Sequence, residues 1–264
     1  MKYRLTNETI KVGEVILHRI ECVEAFADVK AGDKGGWIEK ESNLSQENGA
    51  WVYDEARVWG KARVRDNAEV CDKAEVYGNA WVCDNAEVYG NAWVCDNAQV
   101  YGNAWVCGNA QVFGNAWVYG NAEVCEHAKV FGNAEVREHA QVYGNAEVRE
   151  HAQVYGNACV YDNAEVSEHA VVRDNAAVYG RAGVKGYVYI RGNAKISQMS
   201  DYIVFKNNFS SGRYFTWTRS DNMWAVGCFH GTGEKLIEKA RKDNEDKARC
   251  YALYVKLVED LQKV

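Results

Sequence analysis

Val76-Tyr-Gly-Asn-Ala-Trp81 is followed at once by Val82-Cys-Asp-Asn-Ala-Glu87, and this six-residue unit decides the fold. Its register runs unbroken through 24 consecutive hexads, from Val52 to the Ile196 that opens the next unit. Every hexad opens on Val except the one at Ile190, and its fifth place is Ala except at Val188. A fixed short period marks a solenoid, and hexapeptides mark parallel β-helices. Alternate residues of a strand share a face, so Ala and Val of Ala-x-Val point inward and the residues flanking Val point outward. The next two places, usually Gly-Asn or Asp-Asn, read as corners, because Gly and Asn tolerate a left-handed backbone. Three hexads then make one triangular coil of 18 residues, and eight coils at about 4.8 Å give a prism roughly 38 Å long.

At these residues the chain resembles the left-handed β-helix of the hexapeptide-repeat superfamily. The left hand of the crossover is implied by that resemblance, since the usual rule is right-handed. The expected fold class is mainly β: a left-handed parallel β-helix of about eight triangular coils, with a β-rich N-terminal cap and a small C-terminal α+β module. The expected divisions are 1–51 for the cap and an irregular first coil, 52–196 for the β-helix, and 197–264 for the C-terminal module.

In the N-terminal part, Tyr3–Leu5, Ile10–Val12 and Val15–Val23 are β-rich, with Gly13-Glu14 as a hairpin corner. Ile38 and Leu44 keep the six-residue step, but Leu44 to Val52 is eight, which places an insertion there. A solenoid's open end exposes apolar side chains and unpaired backbone, so this segment reads as a cap. Gly35-Gly36 reads as a plain turn and not a phosphate cradle, which needs a fuller motif. After Ile196, Tyr202–Phe205, Arg213–Thr218 and Met223–Phe229 read as strands. Thr232 is a candidate N-cap for a helix over Glu234–Asp243, and a second helix runs from about Asp246 to Gln262. Its Tyr251, Tyr254, Val255 and Val258 fall on one buried face. This module either caps the prism or hangs from it.

The net charge is −6, and the hexads carry all of it, with 19 acidic against 13 basic residues. Direct nucleic-acid binding, which needs a basic footprint, is not expected. No signal peptide is expected, no apolar run is long enough for a membrane, and nine cysteines without a small disulfide scaffold suggest a reducing compartment. The expectation is a cytoplasmic protein of a bacterial host cell.

Asp33-Lys-Gly-Gly-Trp-Ile-Glu39, Asn43-Leu-Ser-Gln46, Trp51-Val-Tyr-Asp54 and Met223-Trp-Ala-Val-Gly-Cys-Phe229 resemble phage- and prophage-linked hexapeptide proteins, sometimes labelled polymer-forming. The resemblance implies a viral or mobile-element setting and brings no activity with it. Acyltransferases of the same superfamily fold use a histidine as general base between neighbouring prisms. Here His127, His139, His151 and His169 all take the fourth place of a hexad, each after a Glu. Four equivalent copies argue against one catalytic base, and Glu-His reads as a corner variant of Gly-Asn, with His tolerating the left-handed region. His151 and His169 stack at one corner, but no third metal ligand is dictated, and no Cys-x-x-Cys pairing marks zinc. No catalytic residue, metal or cofactor is assigned.

The outward places are more informative. One face carries Trp81, Tyr101, Trp117 and Tyr119, a second Trp93, Phe113 and Phe131, and a third Trp105 with Cys107, Cys125 and the column Tyr143, Tyr161, Tyr179. Aromatic ladders stabilise parallel strands by themselves. A contiguous apolar patch on a rigid face also marks an interface, and the first face is weighed that way. Phe215, Trp217 and Trp224 make the C-terminal module a second candidate for recognition. Stacked Cys107 and Cys125 permit a disulfide, whereas a reducing cytoplasm favours two thiols. The reading is a non-enzymatic scaffold that binds a host or phage protein, in one version an inhibitor of a host defence or regulatory protein. A self-assembling homo-oligomer and an acyl-CoA-dependent acyltransferase are the alternatives.

Overall fold

The computed structural model describes residues 1–263, so the last position of the module predicted over 197–264 lies outside the described residues. The chain is a parallel β-solenoid of triangular cross-section. Each hexad contributes one two-residue strand, and each strand pairs in parallel with the strand 18 residues on, as Glu75–Val76 does with Trp93–Val94. Face I contains Arg57–Val58 through Gly183–Val184, face II Arg63–Val64 through Tyr189–Ile190, and face III Trp51–Val52 through Lys195–Ile196. The Val and Ala of every hexad are buried, so the core is one continuous column of small and β-branched side chains.

There are nine coils, the eight of the regular hexads and the irregular first coil expected before them. Ile38 pairs with Val58, Leu44 bridges to Val64, and Trp51 pairs with Glu69, which closes an extra coil before the regular hexads. The two additional residues between Leu44 and Val52 fall in the loop after Leu44. Strand β1 (Tyr3–Val12) and strand β2 (Val15–Cys22) form an antiparallel hairpin around Gly13, and β2 pairs with β3 (Lys34–Ile38), which joins face I. Gly35 and Gly36 are therefore not a turn but part of β3. A Cβ on Gly35 would lie 2.5 Å from the Val52 carbonyl oxygen, and one on Gly36 2.6 Å from that of Ala56, so only glycine lets this strand cross the coil so closely.

The open N-terminal end is closed by polar groups as well as apolar ones. Buried Lys2 donates from Nζ to the carbonyls of Ala50 (2.7 Å), Glu47 and Asn48, and the Tyr3 hydroxyl donates to the Leu44 carbonyl at 2.8 Å. These bonds satisfy backbone oxygens that no further coil can reach. At the other end an antiparallel sheet runs Tyr202–Lys206, Tyr214–Thr218, Met223–Val226 and Phe229–Gly231, with Gly227 turning the last two. Tyr202 and Val204 pack on the solenoid core, and the Thr216 hydroxyl accepts from the Tyr189 N–H at 3.1 Å. The opposite side of the sheet meets α1 (Gly233–Asp243) and α2 (Glu245–Leu261) through Phe215, Trp217, Trp224, Tyr251, Val255 and Val258. Thr232 caps α1 by accepting from the Lys235 N–H, and Asn244 caps α2. The module is thus a lid on the prism.

Corner chemistry follows a stricter rule than Gly-Asn tolerance. The left-handed residue is always the third of the hexad: glycine, Asp, or Glu, with φ of 60–64° at Glu126, Glu138, Glu150 and Glu168. The histidines that follow are not left-handed, which corrects the expectation drawn from the Glu-His pairs. An acid at this place has a compensation: its carboxylate accepts the N–H of the third residue one coil on, as Glu138 does from Gly156 at 2.9 Å and Asp84 from Gly102 at 2.9 Å. The fourth place builds amide ladders, such as Asn67 to Asn85 to Asn103 to Asn121, with each Nδ2 donating to the next Oδ1.

Candidate functional site

The outer surface is set by the two residues flanking each inward Val. Trp occupies the place before Val at 81, 93, 105 and 117, every twelve residues, or two-thirds of a coil. Successive indoles therefore wind around the prism: Trp81 on face II, Trp93 on face I, Trp105 on face III, and Trp117 on face II again. Their exposures are 39, 44, 42 and 40%, which makes them a belt of half-open indoles over three consecutive coils. Trp81 and Trp117 share a column with Gln99 between them, and Trp93 and Trp105 are flanked in theirs by Glu75 and Gln111 and by Glu87 and Glu123.

The place after Val behaves differently. Tyr101 stacks on Tyr119 at 4.8 Å, Phe113 on Phe131 at 4.8 Å, and Tyr143, Tyr161 and Tyr179 form a continuous stack at 5.1 and 5.2 Å. Burial within this ladder pushes Tyr101 up to about 12, with Tyr119 beside it adding to the shift. These rings spend their faces on one another. Among the described residues Trp93, Trp105 and Trp117 have no such partner, while Trp81 lies under Arg65 (4.8 Å) and Arg63 (5.6 Å).

Phe215, Trp217 and Trp224 are not at the surface. They are 0, 1 and 2% exposed between the sheet and the helices, so they form the lid's own core and do not offer a recognition surface. The reason is that the sheet is covered on both sides, by the last coil and by α1 and α2. Cys107 and Cys125 also differ from the expectation of two thiols: the structure joins them in a disulfide, their Cα atoms 4.6 Å apart, because in-register parallel stacking sets equivalent cysteines of adjacent coils at bonding reach.

The four corner histidines do not converge. His127 lies between faces III and I, His139 between II and III, and His151 and His169 between I and II. The last two rings stack at 5.2 Å with a 10° interplanar angle, and the stack continues through Tyr187 to Tyr214 of the lid. Parallel stacked rings aim their in-plane nitrogen lone pairs side by side and not at one point, so this pair is a spine and not a ligand set. Asp66, Cys83 and Asp84 bring three potential ligand atoms within 4.8 Å of one another. Burial, then Asp84 and Asp66, push the Cys83 thiol up to about 11, so nothing here prepares the thiolate that a soft metal takes.

Residues 152–174, just over one coil, match the family described as YdcK Beta solenoid repeat. The architecture of this chain is a parallel β-solenoid built on hexapeptide repeats. The chain is also similar to the uncharacterized acetyltransferase YdcK of Escherichia coli (strain K12), at 39% identity over 62 residues. The match covers 20% of this chain and 19% of the relative, so it spans about a fifth of the curated relative's length. Among the described residues of the solenoid and its lid, no helix is long and apolar enough to cross a membrane.

Charge on the faces was the signal that inward-outward alternation missed. Face I is internally paired: Arg57 with Glu75 (3.1 Å), Lys129 with Glu147 (3.2 Å), and Glu165 with Arg149 and Lys185. Face III instead stacks Glu69 directly on Glu87 in register. Burial raises the Glu69 pKa, and Glu87 and Asp28 raise it further, as expected for neighbouring carboxylates without a cation. Taking every eighteenth residue of the sequence and recording its charge would have found this pair.

Proposed function

We propose that this β-solenoid is a non-catalytic protein-binding scaffold, acting through its belt of exposed tryptophans. One observation carries the reading: Trp93, Trp105 and Trp117 keep about two-fifths of their surface open and have no ring or cation partner among the described residues, while the neighbouring Tyr and Phe columns stack among themselves. A ladder that served only stability would stack its indoles too. Rigid, half-buried Trp is the residue type that dominates binding energy at protein interfaces. The scattering of the histidines over three corners supports a non-enzymatic role. A viral or mobile-element setting, including inhibition of a host defence protein, belongs to this proposal through the likeness of the flanking motifs alone.

The test is a tagged pull-down from bacterial lysate with wild type beside W81S, W93S, W105S and W117S combined. A single partner lost in the variant, at unchanged melting temperature, supports the belt; a partner retained in full refutes it. The likeness to a protein named an acetyltransferase favours a second reading, an acyl-CoA-dependent enzyme. A melting temperature raised by acetyl-CoA, with acetyl transfer to an amine acceptor, would establish it.

A further inference from the structure

We propose that the partner of face II is face III of a second copy of this chain, joined head to tail around two charge pairs. This deepens the scaffold reading and rests on it. The outward places of face II carry Arg63, Arg65, Arg137, Arg173 and Arg191 against Glu135 alone. Three of these arginines are already engaged. Arg137 pairs with Glu138 (2.9 Å) and Glu135, Arg173 reaches Asp174 (3.9 Å), and Arg191 donates to the carbonyl of Gly227 in the lid (3.2 Å). Arg63 and Arg65 are not engaged. Among the described residues neither forms an ion pair; both guanidiniums rest on the Trp81 indole.

These two arginines floor a hollow of about 350 Å³ beside the loop after Leu44, walled by Ser42, Ser45, Glu47 and Asn48. Asp66 lies at its edge, its carboxylate turned to the Asp84 N–H at 3.4 Å, and Glu47 is exposed at the rim. On face III the corresponding feature is the stacked pair Glu69 and Glu87, with Asp28 alongside and no cation paired to either among the described residues. Glu69 and Glu87 are like charges directly opposite one another in a sheet, which is destabilising, and Arg63 and Arg65 flank Val64 on one strand, so each face gathers like charge that no ion pair among the described residues cancels.

The two features lie at the same height. Arg63 and Arg65 belong to the second coil, Glu69 to the second and Glu87 to the third. With parallel axes and no axial slip, the arginines of one copy meet the glutamates of the next. Trp81 of the third coil then meets Glu87 and Tyr89, and Trp117 of the fifth meets Glu123 and Cys125. Pairing identical faces of parallel copies would instead set Arg against Arg or Glu against Glu. A heterologous contact closes into a ring if its rotation allows. Adjacent faces of a prism with three equal sides meet at about 60°, so successive copies rotate by that angle and about six complete the ring.

The experiment measures mass in solution by light scattering with full-length protein, at ~50 mM and ~500 mM salt. Wild type is expected as a ring at low salt, with an apparent Kd at least about ten-fold weaker at high salt. Two charge-reversed variants, R63E/R65E and E69R/E87R, are each expected to be monomers with unchanged far-UV circular dichroism. Their equimolar mixture is expected to reassemble, because each variant then meets opposite charge only on the other. R63Q/R65Q guards against misfolding and is expected to weaken assembly without reversing it. A monomeric wild type, or an oligomer indifferent to both reversals, or a mixture that stays monomeric while both variants are folded, would overturn the proposal. A monomeric wild type whose Trp belt still captures another protein would sink self-docking and leave the scaffold reading standing.

Discussion

Replacing Glu138 and His139 in turn by Ala and by Gly should give opposite orders of stability at two adjacent residues. Glu138 has φ 64°, and its carboxylate accepts from the Gly156 N–H at 2.9 Å and pairs with Arg137 at 2.9 Å. A left-handed backbone costs a non-glycine residue about 1–2 kcal/mol. The exposed charge-assisted hydrogen bond returns about 1.5 kcal/mol, and the surface ion pair at most about 1 kcal/mol. E138A keeps the backbone cost and loses both bonds, a loss of about 2 kcal/mol. E138G loses the same bonds but relieves the backbone, so it should be about 1 kcal/mol more stable than E138A. At His139, which is not left-handed, glycine only loosens the unfolded chain, and H139G should be about 0.5–1 kcal/mol less stable than H139A. Urea unfolding followed by circular dichroism resolves both gaps, and each kcal/mol should move the thermal midpoint by about 2–4 °C. Glycine winning at 139 and losing at 138 would refute the assignment of the left-handed place to the acid.

The remaining expectations concern the staple, the core and pH. Peptide mapping under non-reducing conditions should recover Cys107 linked to Cys125, and reduction should cost about 3 kcal/mol for this one-coil loop of 18 residues, seen as a lower melting temperature. V112A, in the middle of the core column, should cost about 2 kcal/mol by urea titration, because the rigid coils above and below cannot close on the space. Burial pushes Cys71 up to about 12 and Cys83 to about 11, from an ordinary value of 9.0. The unfolded chain releases these protons first, so stability should fall as pH rises from about 9 toward 12, and C71A/C83A should flatten that fall in a pH series of urea titrations. Lys2, lowered by burial to about 8 from 10.5, works in the opposite sense between those values, and K2M should remove that contribution.

The coil was legible because an 18-residue period stacks like on like, so inward Val and Ala, the Tyr143–Tyr161–Tyr179 column and the stacking of His151 on His169 all follow from counting. The irregular first coil was legible only in part: Ile38 and Leu44 keep the six-residue step and Ala50-Trp51-Val52 keeps Ala-x-Val, but Ser42 and Gly36 stand where the hexads use Ala. The lid's aromatics were misplaced for a different reason. Phe215 and Trp217 alternate with Thr216 and Thr218, which reads as a half-exposed strand, yet both sides are covered by elements distant in sequence. Alternation reports that two faces differ, not that one of them meets water.

Like-on-like stacking also explains where function should be sought on such a surface. Amides gain from it by donating Nδ2 to Oδ1 along a ladder, and flat rings gain by stacking. Charges lose by it, so a regular solenoid must alternate their sign along a column, as face I does from Arg57 to Glu75 and from Lys129 to Glu147. Where face I stacks Glu147 on Glu165, Lys129, Arg149 and Lys185 neutralise the pair, whereas Glu69 on Glu87 departs from that rule with no paired cation among the described residues. Indoles at Trp93, Trp105 and Trp117 that decline to stack depart from it in the same region of the prism. The two departures coincide over the second to fifth coils, where the hexads are otherwise most regular, and a shared docking surface accounts for both with one cause.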